Sequence, residues 1–168
     1  IGTTTVRPDG SWELTPTTPL ADGPHTVTAT ATDPAGNTSG PTPALPFIVD
    51  TSAPSDPVIT RAVDDVDPQT GTVANGGATN DTRPLLEGKA PANTTVELFA
   101  KTGNGAPVSL GTTQADAAGN WSFTPTLPLA EGAYDFTAQA TNAAGTTSNV
   151  SAPYALNIDT TAPAAPVI

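Results

Sequence analysis

Carboxylates placed at turns are the residues of this chain whose type and spacing could do chemistry. Asp64 and Asp65 stand together in "DDVDPQTG", Asp67 follows two places on, and "TNDTRP" adds Asn80 and Asp81. Carboxylates gathered at one bend repel one another unless water solvates them or a cation neutralises them. A hard cation such as calcium takes about six to eight oxygens from carboxylates, amides and backbone carbonyls, so Asp64, Asp65 and Asp81 are candidate metal ligands. A second set lies elsewhere in the chain. Asp116 begins "DAAGN", Asn142 lies in "TNAAGTT", Asp9 in "PDGS" and Asp33 in "TDPAGN", while Asp50 and Asp159 close the apolar runs "FIVD" and "LNID". Asp50, Asp116 and Asn142 are expected to meet where one domain hands over to the next, with Asp9 and Asp33 at the equivalent end of the preceding domain and Asp159 serving the following junction. The alternative for all of them is that Asp and Asn cap turns for backbone reasons alone.

Composition narrows the possible partners. Sixteen acidic residues against five basic ones give a net charge of -11, which disfavours a nucleic-acid backbone or an anionic membrane and leaves divalent cations as natural partners. No apolar run approaches the ~20 residues of a membrane-spanning helix. The chain has no cysteine, so a small exported domain would rely on its core or on bound metal where others use disulfides. Catalytic constellations are missing. His25 is the sole histidine, and a general base needs a partner within reach. No nucleophile, base and orienting acid are grouped, and the glycines of "NGG" and "AAGN" read as turn residues, not a phosphate loop.

The elements that must position these carboxylates follow from an internal repeat. Shifting the chain by 109 positions, Gly111 minus Gly2, aligns residues 1–59 with 110–168 without a gap and with close to half of the positions identical. "GSWELTPTTPLADG" answers "GNWSFTPTLPLAEG", and "FIVDTSAPSDPVI" answers "LNIDTTAPAAPVI". Apolar residues alternate: Trp121 and Phe123, then Tyr134, Phe136, Ala138 and Ala140, then Tyr154, Leu156 and Ile158, with Leu86, Val96, Leu98 and Ala100 upstream. Period two means half-buried strands. In the first copy Trp12, Leu14, His25, Val27, Ala29, Ala31, Leu45, Phe47 and Val49 keep that parity. No segment carries a helical period.

About seven short strands with turn residues between them predict an all-β fold, an immunoglobulin-like antiparallel β-sandwich repeated in tandem about every 109 residues. Tyr134, opening a late strand after a turn, is expected to form a tyrosine corner. The expected organisation is the C-terminal half of one repeat over residues 1–50, a complete repeat over 51–159, and a linker with the first strand of the next repeat over 160–168. "TSAPSDP" and "TTAPAAP" are short, stiff connectors, because proline locks φ and restricts the residue before it.

The phrases "NDTRP", "GNWSFTP", "PLAEG" and "DTTAP", in that order, resemble the bacterial immunoglobulin-like repeats of giant surface adhesins and biofilm-associated proteins exported by type I secretion. The likeness covers essentially the whole chain. It implies a non-enzymatic extender arm of a secreted, cell-surface protein, stiffened by calcium at domain junctions, whose partners are neighbouring repeats and, beyond them, other cells' adhesins or a host surface. The implied ligands are Asp50 and Asp159 in the linkers with the turn carboxylates Asp33 and Asp9; the second copy departs from this with Asn142 and Ala118, for which Asp116 compensates. The competing reading is a module that itself binds a glycan or host protein, or pairs with its own kind. An exposed Phe99, on the opposite face from Val96 and Leu98, would favour it.

Overall fold

A computed structural model describes residues 1–167; Ile168, the end of the expected first strand of a following repeat, lies outside the described residues. The chain divides into two compact units, Ile1–Thr51 and Ser52–Ile168.

Unit 1 contains two strands, β1 (Gly23–Val27) and β2 (Leu45–Val49), paired antiparallel with His25 opposite Phe47. Leu45 is 64% and Phe47 36% exposed, and Trp12 upstream is 52% exposed. Parity alone does not bury a face; a second layer has to cover it.

Unit 2 buries its alternating residues between two sheets. Its strands are β3 (Val58–Asp64), β4 (Gly71–Val73), β5 (Gly77–Thr79), β6 (Leu85–Lys89), β7 (Thr95–Thr102), β8 (Val108–Gln114), β9 (Asn120–Phe123), β10 (Gly132–Thr141), β11 (Thr147–Val150) and β12 (Tyr154–Ile158). One sheet runs β4-β3-β6-β9, the other β5-β12-β10-β7-β8, with β11 on β10. The alternating residues meet between the sheets: Leu86, Val96, Leu98, Phe136 and Ala138 are fully buried, and Ala62, Trp121, Phe123, Tyr154 and Leu156 join them.

Two features depart from the expected sandwich. The opening stretch crosses between sheets. β4 pairs with β3 in one sheet, and a tight turn, with Gly77 N–H donating to the Ala74 carbonyl and Gly76 N–H to that of Ala155, lays β5 beside β12 in the other sheet as a parallel pair. Gly76 sits at φ +85°, a conformation that favours glycine. The tyrosine corner is absent at Tyr134: that ring is half-buried and stacks on Phe136 with centroids 5.8 Å apart, while it is Tyr154 whose hydroxyl donates to a backbone carbonyl, that of Val73, at 2.6 Å. This bond ties β12 to β4 where the chain changes sheets. Residues 160–167 carry no strand.

Candidate functional site

The turn carboxylates are built into their own turns. Asp116 Oδ1 accepts N–H bonds from Ala118 and Asn120, both at 2.8 Å, while the Asn120 amide donates to Oδ2. Asp33 does the same with Ala35, Asn37 and the Asn37 amide, and Asn142 Oδ1 accepts from Ala144 and Thr146. Asp9 Oδ1 takes the Ser11 N–H and hydroxyl. In each turn a glycine at positive φ closes the loop: Gly119, Gly36, Gly145 and Gly10. Side-chain donors come first among the causes that hold these carboxyls below their ordinary value: Asn120 for Asp116, Asn37 for Asp33 and Ser11 for Asp9. The stability they contribute is present above that ordinary value and is lost as pH falls through the lowered one. The capping role foreseen as the alternative is thus occupied in all four.

The cluster around Asp64 is different in kind. Asp64, at the end of β3, is 3% exposed and Asp81, just beyond β5, 4%. Asp64 accepts the Val66 N–H and the Thr79 hydroxyl; Asp81 accepts the Arg83 N–H at 2.7 Å. Asp65 is exposed beside them. Burial first, then the charges of Asp65 and Asp64, push the Asp81 carboxyl above its ordinary 3.8. Asn80 donates its amide to the Asp67 carbonyl, yet its Oδ1 is buried without a donor. Among the described residues no three or more carboxylates or imidazoles form a group that could hold a metal ion. The donor chemistry at this bend still suits a hard cation, because two buried carboxylates and an orphaned amide oxygen all gain from positive charge.

The raised Asp81 fixes a sign. A carboxyl whose folded pKa lies above its unfolded one costs nothing at pH below the unfolded value, and destabilises progressively as pH rises through the folded value. Asp81→Asn, which keeps an oxygen for the Arg83 N–H, is therefore expected to melt at or above the parent temperature at pH 7 in chelator, with the difference vanishing near pH 3. A parent protein that melts higher than the variant at pH 7 in chelator would contradict this assignment.

A polar clamp was not anticipated in the sequence. In unit 1 the Asp22 carboxylate accepts the Thr51 N–H at 3.1 Å and its hydroxyl at 2.9 Å. In unit 2 Glu131 accepts the hydroxyls of Thr160 at 3.0 Å and Thr161 at 2.8 Å. Asp22 and Glu131 are 109 apart, as are Thr51 and Thr160. The available signal was an acid in the "PLADG" or "PLAEG" turn matched by a threonine after the closing Asp50 or Asp159. Asp159 itself donates its N–H to the Thr79 carbonyl and accepts the Thr161 N–H. At the start of unit 2 the connector is held too: the Asn142 amide donates to the Ser52 carbonyl, the Asn149 N–H to Asp56, and Pro57 is fully buried.

Other candidates have local roles. His25 Nε2 lies 2.7 Å from the Ala21 carbonyl and its ring stacks on Phe47 at 5.6 Å. Phe99 is half-buried, not exposed. Among the described residues no helix is long and apolar enough to cross a membrane.

A tandem of all-β units, the larger one an immunoglobulin-like sandwich, is the class this geometry defines. The chain belongs to the bacterial Ig-like domain family, whose model matches residues 1–51 and 56–160. No curated relative matches it. A solved structure described as a tetra-tandem repeat in the extending region of a large adhesion protein is similar at 25% identity and a TM-score of 0.42, over 91% of this chain. The chain spans 37% of the length of that structure.

Proposed function

We propose that this segment is a structural extender repeat of a bacterial cell-surface adhesin, stiffened by calcium, which supports adhesion and biofilm formation and performs no catalysis. The observation that carries the reading is the clamp found in both units, in which a turn carboxylate holds the threonine just after the last strand. Fixing that residue sets the direction in which the chain leaves a domain. Copy number then gives reach, and the prolines of each connector limit bending. The family, the repeat and the adhesin-like phrases suit a secreted protein at the bacterial surface, exported by type I secretion, with neighbouring repeats as its first partners.

Calcium would supply positive charge where the carboxylates crowd. Asp64 and Asp81, with Asn80 Oδ1, would hold it in unit 2, with Asp65 exposed beside them; Asp50 and Asp159, at the ends of their repeats, with the turn residues Asp9, Asp33, Asp116 and Asn142, are the further donors of the reading. A bound ion stabilises the folded state by mass action, and it would offset the burial and the neighbouring charges that raise the Asp81 carboxyl.

The test is thermal melting and small-angle scattering of a polypeptide of two complete repeats, in chelator and in millimolar calcium. Calcium is expected to raise the melting temperature and lengthen the particle, and Asp81→Asn to remove most of the thermal gain. Glu131→Ala is expected to broaden the distribution of particle lengths while leaving the melting temperature of its unit within a few degrees, since exposed hydrogen bonds contribute little. Curves insensitive to calcium would remove the metal from the proposal; a compact, clamp-insensitive particle would remove the extender.

A further inference from the structure

Of the asparagines in the chain, only Asn75 and Asn104 precede a glycine; every other one is followed by a residue that carries a Cβ. An asparagine in that setting can react with its own main chain. The amide nitrogen of the next residue approaches the side-chain Cγ, and glycine leaves that approach open because it has no Cβ and the widest choice of φ and ψ. Both pairs lie in exposed turns, yet their surroundings are opposite.

Asn75 is held at both reacting groups by one residue of β12. Its Oδ1 accepts the Ala155 N–H at 2.8 Å, while the Gly76 N–H donates to the Ala155 carbonyl, also at 2.8 Å. The Asn75 amide donates to the Pro153 carbonyl at 3.5 Å, and the parallel pairing of β5 with β12 begins two residues on, at Gly77. For the Gly76 nitrogen to reach Cγ, both bonds to Ala155 must break and the start of β5 must part from β12. Asn104 is not held in this way. It lies in the loop between β7 and β8, after Gly103 at φ +49°, and among the described residues its side chain has no hydrogen-bond partner. The Gly105 N–H donates to the Thr102 carbonyl at 2.9 Å, a bond inside an exposed turn that opens without parting any strand.

We propose that Asn104 is a site of spontaneous covalent modification in the folded protein, converted through a succinimide to isoaspartate and aspartate, and that the fold protects Asn75 from the same reaction. The Gly105 main-chain nitrogen gives its proton to solvent base and attacks Asn104 Cγ. The N–Cγ bond forms, the Cγ–Nδ2 bond breaks, and Nδ2 leaves as ammonia with a proton taken back from solvent. Water then opens the five-membered ring, at Cγ to give aspartate or at the main-chain carbonyl carbon to give isoaspartate. Nothing is oxidised or reduced. Either product puts a carboxylate on the β7–β8 loop, and isoaspartate also lengthens the main chain there by one methylene. At Asn75 the same change would remove the donor to Pro153 and displace Gly76 from Ala155, so the protected position is the one at which the chain passes between sheets. The inference stands apart from the extender reading, since it requires neither calcium nor a neighbouring repeat.

The experiment incubates the full chain in mildly alkaline buffer, native and in concentrated urea, and follows both sites by peptide mapping with mass spectrometry. Labelling with an isoaspartyl methyltransferase scores the isoaspartate. In the native chain Asn104 is expected to convert at least about tenfold faster than Asn75, whose conversion waits on local opening. In urea the two rates are expected to converge to within about threefold, because the tertiary bonds that separate them are gone. Gly105→Ala should slow conversion at Asn104 and leave Asn75 unchanged, since the added Cβ hinders the attacking nitrogen. Tyr154→Phe, which removes the bond from β12 to the Val73 carbonyl, should speed conversion at Asn75 by about fivefold, the shift in an opening equilibrium that loss of one hydrogen bond gives. Asn104 should not respond to that variant. The proposal is overturned by native rates that are equal or faster at Asn75, by absence of product at Asn104 once the urea sample has converted, or by a Tyr154→Phe chain in which Asn75 reacts no faster than in the parent.

Discussion

Gly88→Val is expected to leave unit 2 unfolded, and Gly88→Ala to cost about 3 kcal/mol or more, the upper range for overpacking. A Cβ built at Gly88 would lie 2.1 Å from the Val58 carbonyl oxygen and 2.2 Å and 2.5 Å from two atoms of the Trp121 ring. The first neighbour is backbone of the adjacent strand β3, and the second is a ring that is 3% exposed. Neither has room to retreat without parting β3 from β6 or expelling Trp121 from the core. Gly40, which has open space where its Cβ would stand, is the control, and its alanine variant should melt with the parent. Circular dichroism melts and Trp121 emission in a Trp12→Phe background decide the matter. A Gly88→Val protein melting within a few degrees of the parent would show that the contact between ring and glycine is wrong.

Phe136→Ala is expected to destabilise unit 2 by about 3–5 kcal/mol, the range for deleting a buried aromatic ring. Phe136 is fully buried at the middle of β10, paired with Ala100 on one side and Tyr154 on the other and stacked on Tyr134. A denaturant titration of the variant against the parent, followed by Trp121 emission in a Trp12→Phe background, tests this, and a loss below about 1 kcal/mol would contradict the placement of the ring in the core.

Unit 2 was legible because its signals were local. Alternation at Trp121, Phe123, Phe136, Ala138, Tyr154 and Leu156 named the inward face, and all of these are buried. Side chains of a strand point to opposite faces with a period of two, so parity survives without knowing the partners. The turns "DAAG", "DPAG" and "NAAG" were equally visible, since a glycine at positive φ and a capping Asp or Asn are demands of the backbone over a few residues. The immunoglobulin-like sandwich itself followed from strand number, length and spacing.

Long-range geometry was not legible. Asp116 and Asp64 are both turn carboxylates in the sequence; only folding spends the first on its own loop and buries the second beside Asp81. Whether Tyr134 or Tyr154 finds a backbone carbonyl depended on where the chain switches sheets, and the switch put Val73 within reach of Tyr154. The clamps of Asp22 and Glu131 join residues about thirty positions apart, a closure that depends on both strand ends reaching the same edge.

Trp12 and Trp121 mark the boundary most clearly. They share the phrase "G-x-W", the parity and the following "TPT-x-PLA" turn, so the sequence by itself determined that both lie on the apolar side of a strand. Only the tertiary structure decided that Trp121 closes over Gly88 and is buried there. The pattern of a strand states which face wants cover, but burial is a property of two layers, and the second layer comes from residues distant in the chain.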